Sequence, residues 1–203
     1  MIYNLKPSCI ARFAKTVEAV RKLALKEEKK QIIIAIDGRC ASGKTTLGYY
    51  LQELFDANLF HMDDFFLQSH QRTKERLAQI GGNVDYERFH AEVLEPLLKG
   101  EDIYYRRFDC KTMTLAEEKR ISAKRMNIIE GSYCMNPYFK DCYDLRVFTD
   151  IDTESQLQNI RNRNGEEKLI DFQERWIPKE EAYFAAFQIK EKSEIIVEWR
   201  EKL

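Results

Sequence analysis

The segment Gly38-Arg39-Cys40-Ala41-Ser42-Gly43-Lys44-Thr45 constrains this chain more than any other. It carries glycine, glycine, lysine and threonine at the four fixed positions of G-x-x-x-x-G-K-[ST]. The run before it, QIIIAID (31–37), is too short for a helix, rich in Ile and closed by a glycine-containing turn, which predicts a buried parallel strand. TLGYYLQEL after it predicts a helix. A glycine turn between a buried strand and a helix start aims successive backbone N–H groups, and the positive helix end, at one point. That arrangement holds phosphate, with Lys44 reaching the β- and γ-phosphates and the Thr45 hydroxyl ligating Mg²⁺. The expected ligand is a nucleoside triphosphate. The loop alone does not separate kinases from GTPase switches or ATP-driven motors.

The other patterns fit one domain over 1–203. At 44% hydrophobic residues the chain can bury a sizeable core, and 33 Lys+Arg against 34 Asp+Glu leave no global field toward nucleic acid or anionic lipid. No run approaches the ~18 apolar residues of a membrane span, and MIYNLKPSCIARF has no signal core, so the expectation is a cytoplasmic protein with no nucleic-acid or membrane partner. Five cysteines, an odd number without a Cys-x-x-Cys pair, are read as reduced and structural. Within 1–30, Ile10, Phe13, Val17 and Val20 mark an amphipathic helix, either an oligomer contact or packed on the sheet. Packing is the expectation. Strands are predicted at 58–66, 125–131, 144–151 and 194–198, a hairpin at 101–115, and helices at 85–100, 153–164 and 178–188, with a mobile polar connection at 68–83. Alternating strands and helices predict an α/β sandwich with a largely parallel sheet, whose ligands sit at the carboxyl ends of its strands.

Acids recur at those ends. In HMDDFF, Asp63 is the candidate general base toward an acceptor hydroxyl, or the cap of a turn. In IIEG, Glu130 is a candidate for orienting Mg²⁺ through water, or a solvated strand end. Arg161 and Arg163 either fold over the phosphates as a lid or complement a helix dipole. His61 and His90 lack metal-ligand spacing and are read as structural or surface residues, and Trp176 and Phe184 as packing residues. Cys40 sits near helix-end dipoles, which lower a thiol pKa, but nothing else in the sequence suggests thiol chemistry and it is read as a tolerated variable position.

GRCASGKTT, HMDDFF, GGNVDYERF, IIEGSY and IRNRNG, in this order and approximate spacing, resemble the uridine kinase, phosphoribulokinase and bacterial pantothenate kinase group of P-loop kinases. The resemblance covers most of 31–198. It implies a P-loop NTPase-type three-layer α/β/α sandwich with a small hairpin insertion (about 101–115) and a lid (about 161–177). It implies that Gly38, Arg39, Cys40, Ala41, Ser42, Gly43, Lys44, Thr45 and Thr46 bind ATP with Mg²⁺, the metal being managed by Thr45 and Glu130. Asp63, Lys44, Arg161 and Arg163 would be catalytic. Asp63, Phe66, Asp85, Arg107, Phe108 and Tyr133 would line the acceptor site, Asp85 toward sugar hydroxyls; on the sequence alone Asp85 is equally a helix N-cap.

Two departures stand out. Where uridine kinases frame the pyrimidine with Tyr and His, this hairpin offers Phe108 and Met113, and the lid passes from Arg163-Asn164-Gly165 into EEKLIDFQERWIPKEE without an Arg-Gly-Arg run. The lid is therefore expected to be shortened or rebuilt, with Arg175 a candidate substitute. The function implied is ATP-dependent phosphorylation of a primary hydroxyl on a small polar molecule, uridine or a related nucleoside first. The alternatives are a non-nucleoside acceptor (pantothenate, a sugar phosphate, glycerate) and a non-catalytic nucleotide-dependent switch. No Asn-Lys-x-Asp guanine-reading segment is present.

Overall fold

The structure is a computed structural model and describes residues 5–199; residues 1–4 of the expected N-terminal segment, and 200–203, lie outside the described residues. The strand expected at 31–37 is β1 (Ile32–Gly38), buried at all seven positions. An isoleucine run without a polar face is satisfied only in a sheet covered on both sides. β1 accordingly lies at the centre of a five-stranded sheet ordered β2-β5-β1-β6-β7, with β2 (Asn58–His61), β5 (Met126–Glu130), β6 (Leu145–Ile151) and β7 (Ile195–Trp199). Every pairing is parallel. Glu130 stands opposite both Ile36 and His61, and Gly38 opposite Thr149, so the carboxyl ends finish at one level around the phosphate loop.

Helices α1 (Pro7–Ala24), α2 (Lys44–Phe55), α3 (Lys74–Ala78), α4 (Tyr86–Phe89), α5 (Glu95–Lys99), α6 (Thr153–Asn164), α7 (Glu166–Asp171) and α8 (Ile177–Phe187) complete the layers. Alternate residues of β1 serve opposite cores. Ile32, Ile34 and Ile36 meet Phe13, Val17 and Val20 of α1 and Leu47 and Leu51 of α2, so α1 packs on the sheet as expected. Ile33 and Ala35 face Phe60, Phe65, Val93, Tyr183 and Phe184. No helix among the described residues is long and apolar enough to cross a membrane.

Two expectations are corrected by packing. The strand predicted at 58–66 ends at His61, and Met62–Phe65 form a 3-10 turn that buries Met62 and Phe65. The hairpin, β3 (Ile103–Asp109) and β4 (Thr114–Ile121), runs six residues past 115, tied at its base by Asp102 and Arg120 at 2.6 Å. The segment after Gly165, expected as a shortened or rebuilt lid, is helical, and a π-helical turn, Phe172–Trp176, joins α7 to α8. A second π turn, His90–Leu94, joins α4 to α5. Each precedes a proline, Pro178 or Pro96, whose ring would clash with the carbonyl four residues back in a regular helix. The wider turn relieves that clash and lets each helical run continue.

Candidate active site

The phosphate loop closes on itself. Gly38 takes φ +135°, and a Cβ there would stand 2.1 Å from the Thr149 carbonyl oxygen, so only glycine fits the end of β1 beside β6. α2 starts at Lys44, whose Nζ donates to the carbonyls of Gly38 (2.7 Å) and Arg39 (2.9 Å). Asp37, fully buried behind the loop, accepts from the N–H groups of Gly38 (2.7 Å) and Met135 (3.0 Å) and from the Tyr183 hydroxyl (2.8 Å). Burial lifts its pKa to about 6 against the opposing pull of Lys44 and these hydrogen bonds. The sequence signal for Asp37 is an acid at the end of an apolar strand.

Cys40 departs from expectation. Its thiol pKa is raised to about 12, first by burial and then by the charge of Glu180. The Gln156 amide donates to the sulfur (3.2 Å), while the Cys40 N–H donates to Glu180 Oε2 (2.9 Å). Glu180 also accepts from the Ser132 hydroxyl. This acid was missed, although it falls with Tyr183 and Phe184 on the buried stripe of α8, where an acid needs a polar partner.

Beyond the loop lies a cavity of about 550 Å³ whose lining includes Cys40, Ala41, Gly43, Lys44, Thr45 and Thr46 of the loop and α2 together with Asp63, Phe66, Asn83, Glu130 and Tyr133. Gly38, Arg39 and Ser42 support the loop without lining it. The Arg39 guanidinium turns away to Asp150 (2.9 Å) and Glu181, and the Ser42 hydroxyl donates to the Arg39 carbonyl (2.6 Å).

The Thr45 hydroxyl stands 3.2 and 3.3 Å from the two Glu130 oxygens, and Glu130 also pairs with His61 Nδ1. His61, expected to be structural or on the surface, therefore belongs to this site. Burial pulls its pKa down, but the hydrogen bond and charge of Glu130, with Asp64 and Asp63 beyond, leave it raised. Asp63 follows in the 3-10 turn, accessible from the cavity yet hemmed in by protein, and its pKa is raised by burial first and by Glu130 next, with Lys44 opposing. Asp64 turns inward to the Tyr105 hydroxyl at 3.2 Å. Among the described residues no three His, Cys, Asp or Glu side chains gather to hold a metal. Thr45 and Glu130 offer only hard oxygen donors, which suits Mg²⁺ completed by phosphate oxygens and water.

The expected acceptor residues divide. Phe66, Tyr133 and Asp63 line the cavity; Asp85, Arg107 and Phe108 do not. Asp85 is buried as the N-cap of α4, accepting from the Arg88 N–H (3.1 Å) and standing 3.4 Å from its guanidinium, so the capping alternative describes its place. Arg107 is on the exposed face of the hairpin, Phe108 is buried, and Met113 sits in the turn at φ +58°. The lid arginines divide as well. Arg163 lines the cavity with its guanidinium 5.8 Å above the Phe172 ring, whereas Arg161 is held outside by Glu166 at 2.7 Å. Trp176, expected to pack, also lines the cavity, with the Arg175 guanidinium 4.6 Å from its ring.

No protein-family model and no curated protein sequence matches the chain. Solved structures match its fold. A protein from Bacillus stearothermophilus described as a possible uridine kinase superposes with a TM-score of 0.68 at 20% identity, over 93% of this chain and 98% of that one. One from Silicibacter sp. TM1040, described as a putative fructose transport system kinase, gives 0.69 at 18% over the same shares. The D-glycerate 3-kinase of Cryptococcus neoformans gives 0.50 at 14%, over 83% and 85%. At these identities the likeness establishes the fold alone, a three-layer α/β/α sandwich around a mostly parallel sheet.

Proposed function

We propose that the chain is an ATP-dependent kinase that phosphorylates a hydroxyl of a small polar molecule. The observation that carries this is the meeting, across one cavity, of Lys44, Thr45 and Glu130 with an acceptor-side carboxylate, Asp63. The loop N–H groups and Lys44 would hold the β- and γ-phosphates, and Thr45 and Glu130 the Mg²⁺. Bound ATP-Mg²⁺ supplies an activated phosphoryl group whose charge is partly neutralised. An Asp63 oxygen takes the proton of the acceptor hydroxyl as that oxygen attacks. Arg163 stabilises charge on the transferring group, and Phe172 and Trp176 shield the cavity from water.

A nucleoside is the first acceptor to try, because Phe66, Phe172 and Trp176 offer flat aromatic faces in the cavity that holds Asp63. The test is acceptor-dependent ADP release from Mg-ATP across nucleosides, fructose, pantothenate, phosphorylated pentoses and glycerate, with Lys44→Ala as control. A nucleoside signal abolished by the control supports the full reading. A signal from non-nucleosides alone keeps phosphoryl transfer and discards the nucleoside, and silence across the panel with ATP bound removes the enzymatic reading.

A further inference from the structure

His61 and Glu130 end neighbouring strands and stand opposite each other in the parallel register of β2 and β5. Their side chains leave the sheet on the same face, where the imidazole meets the carboxylate through Nδ1 and Oε1. A carboxylate that holds a cation is ionised and only accepts hydrogen bonds, so Nδ1 carries the hydrogen and donates it.

One side of α2 closes around this pair. Thr45, Gly48 and Tyr49 fall three and four residues apart and line the same helix face. The Thr45 hydroxyl reaches Glu130 Oε1 at 3.2 Å and Oε2 at 3.3 Å. Gly48 lets the Glu130 stem lie against the helix, since a Cβ there would stand 3.5 Å from Glu130 Cγ and 3.0 Å from Leu59 Cδ1. The Tyr49 ring packs on the imidazole, with centroids 5.7 Å apart at 55°. His61 is thus held by an aromatic contact and a hydrogen bond, and its side chain is 27% exposed against 6% for Glu130.

Without the imidazole, Glu130 would be loosely placed. A glutamate turns about three side-chain bonds, the last of them with a broad minimum, whereas Mg²⁺ takes oxygen ligands only in near-octahedral positions. Ordering a carboxylate that is free to turn would lower metal affinity. His61 engages Oε1, which leaves Oε2 for the cation or its water. An imidazole nitrogen is itself a poor ligand for so hard a cation, so His61 acts through Glu130 rather than by coordination.

We propose that His61 is a positioning residue for the metal of the Mg-nucleotide, holding the Glu130 carboxylate in its place beside Thr45. This inference rests on the nucleotide half of the proposed function and adds a residue that the phosphate loop does not contain.

The test is calorimetric titration of AMP-PNP, a non-hydrolysable ATP analogue, with saturating Mg²⁺ and separately with EDTA. The proteins are wild type, His61→Phe and His61→Asn, with Glu130→Gln and the double variant His61→Phe/Glu130→Gln. ADP release from Mg-ATP across the acceptor panel is measured beside it. Wild type is expected to bind the analogue more tightly with Mg²⁺ than in EDTA. His61→Phe keeps a ring against Tyr49 and removes the donor; it should lose about tenfold in affinity with Mg²⁺ while staying within about twofold in EDTA. His61→Asn, whose amide puts a donor near the place of Nδ1, should stay within about threefold of wild type with Mg²⁺. In the Glu130→Gln background His61→Phe should cost less than about twofold, because the group it positions is gone. Should His61→Phe not fold, His61→Ala takes its place with the same expectations.

The inference is overturned by a wild type indifferent to Mg²⁺, by a loss of equal size with Mg²⁺ and in EDTA, which marks a structural role, by His61→Asn losing as much as His61→Phe, or by a loss that persists in Glu130→Gln. A selective loss of affinity with Mg²⁺, with no ADP release from any acceptor, would sustain the role of His61 and sink phosphoryl transfer. ADP release by wild type, with affinity unchanged in His61→Phe, would do the reverse.

Discussion

Asp37 and Asp63 are both held above the ordinary carboxylate range by burial, with different consequences for the two residues. Asp37 rises from 3.8 to about 6, so the folded chain binds this proton more tightly than the unfolded chain does. Its contribution to stability is therefore present at low pH and lost as the pH rises through about 6, amounting to about 1.4 kcal/mol between pH 5 and 8. Urea unfolding of wild type and Asp37→Asn at both pH values should show wild type losing about that much relative to the variant; a difference independent of pH would mean that Asp37 does not titrate in this window. At Asp63 the raised pKa acts on turnover, because a base must be deprotonated to accept a proton. Activity should fall on acidification through a pKa above the usual aspartate value. Asp63→Asn should lower kcat by about 10²–10⁴-fold and abolish that acidic limb while Mg-ATP affinity stays within about threefold. Unchanged turnover would eliminate Asp63 as the base.

The two arginines expected over the phosphates separate at the level of the element. Arg161 and Arg163 are two residues apart near the end of α6, and 200° of helical rotation turns them to different sides. Arg163 reaches the cavity; Arg161 is occupied by Glu166 on α7. Arg163→Ala is expected to lower kcat by about a hundredfold, and Arg161→Ala to change it by less than about threefold, because an exposed ion pair is worth little. Equal losses in steady-state kinetics would contradict this division. The same geometry explains how much of the site was legible in the sequence. The phosphate loop, β1, Glu130 and the bounds of α6 could be read because strand-loop-helix chemistry and capping are local. Glu180 and His61 could not, because their places come from segments that meet only after folding: α8 behind the loop, and β2 beside β5. Asp85 shows the converse, since local capping by its own helix decides where it sits and takes it out of the cavity. The π turns depended on a conflict between proline and helix that periodicity does not register.

Across the whole molecule, the central strand sends alternate side chains into two separate cores, while the site occupies the carboxyl edge where the strands end. α1 contributes to only one of these cores. Phe13 is fully buried there, its ring 5.8 Å from Tyr50 on α2, and truncation would leave a cavity beneath the helix. Phe13→Ala should therefore cost about 3–4 kcal/mol in denaturant unfolding. No side chain of α1 lines the cavity beyond the loop. Saturating Mg-ADP should thus add the same increment of stability to Phe13→Ala as to wild type, within about 0.5 kcal/mol, since distant sites add independently and a ligand stabilises only through its own affinity. A different result has a defined route: the Arg12 guanidinium of α1 lies 4.1 Å over the Trp199 ring, and that ring stands 3.5 Å from the position of a Cβ on Gly43 in the loop. If the increment in Phe13→Ala falls short of wild type by more than 0.5 kcal/mol, α1 and the phosphate loop are coupled through Trp199, and Trp199→Ala should remove the shortfall.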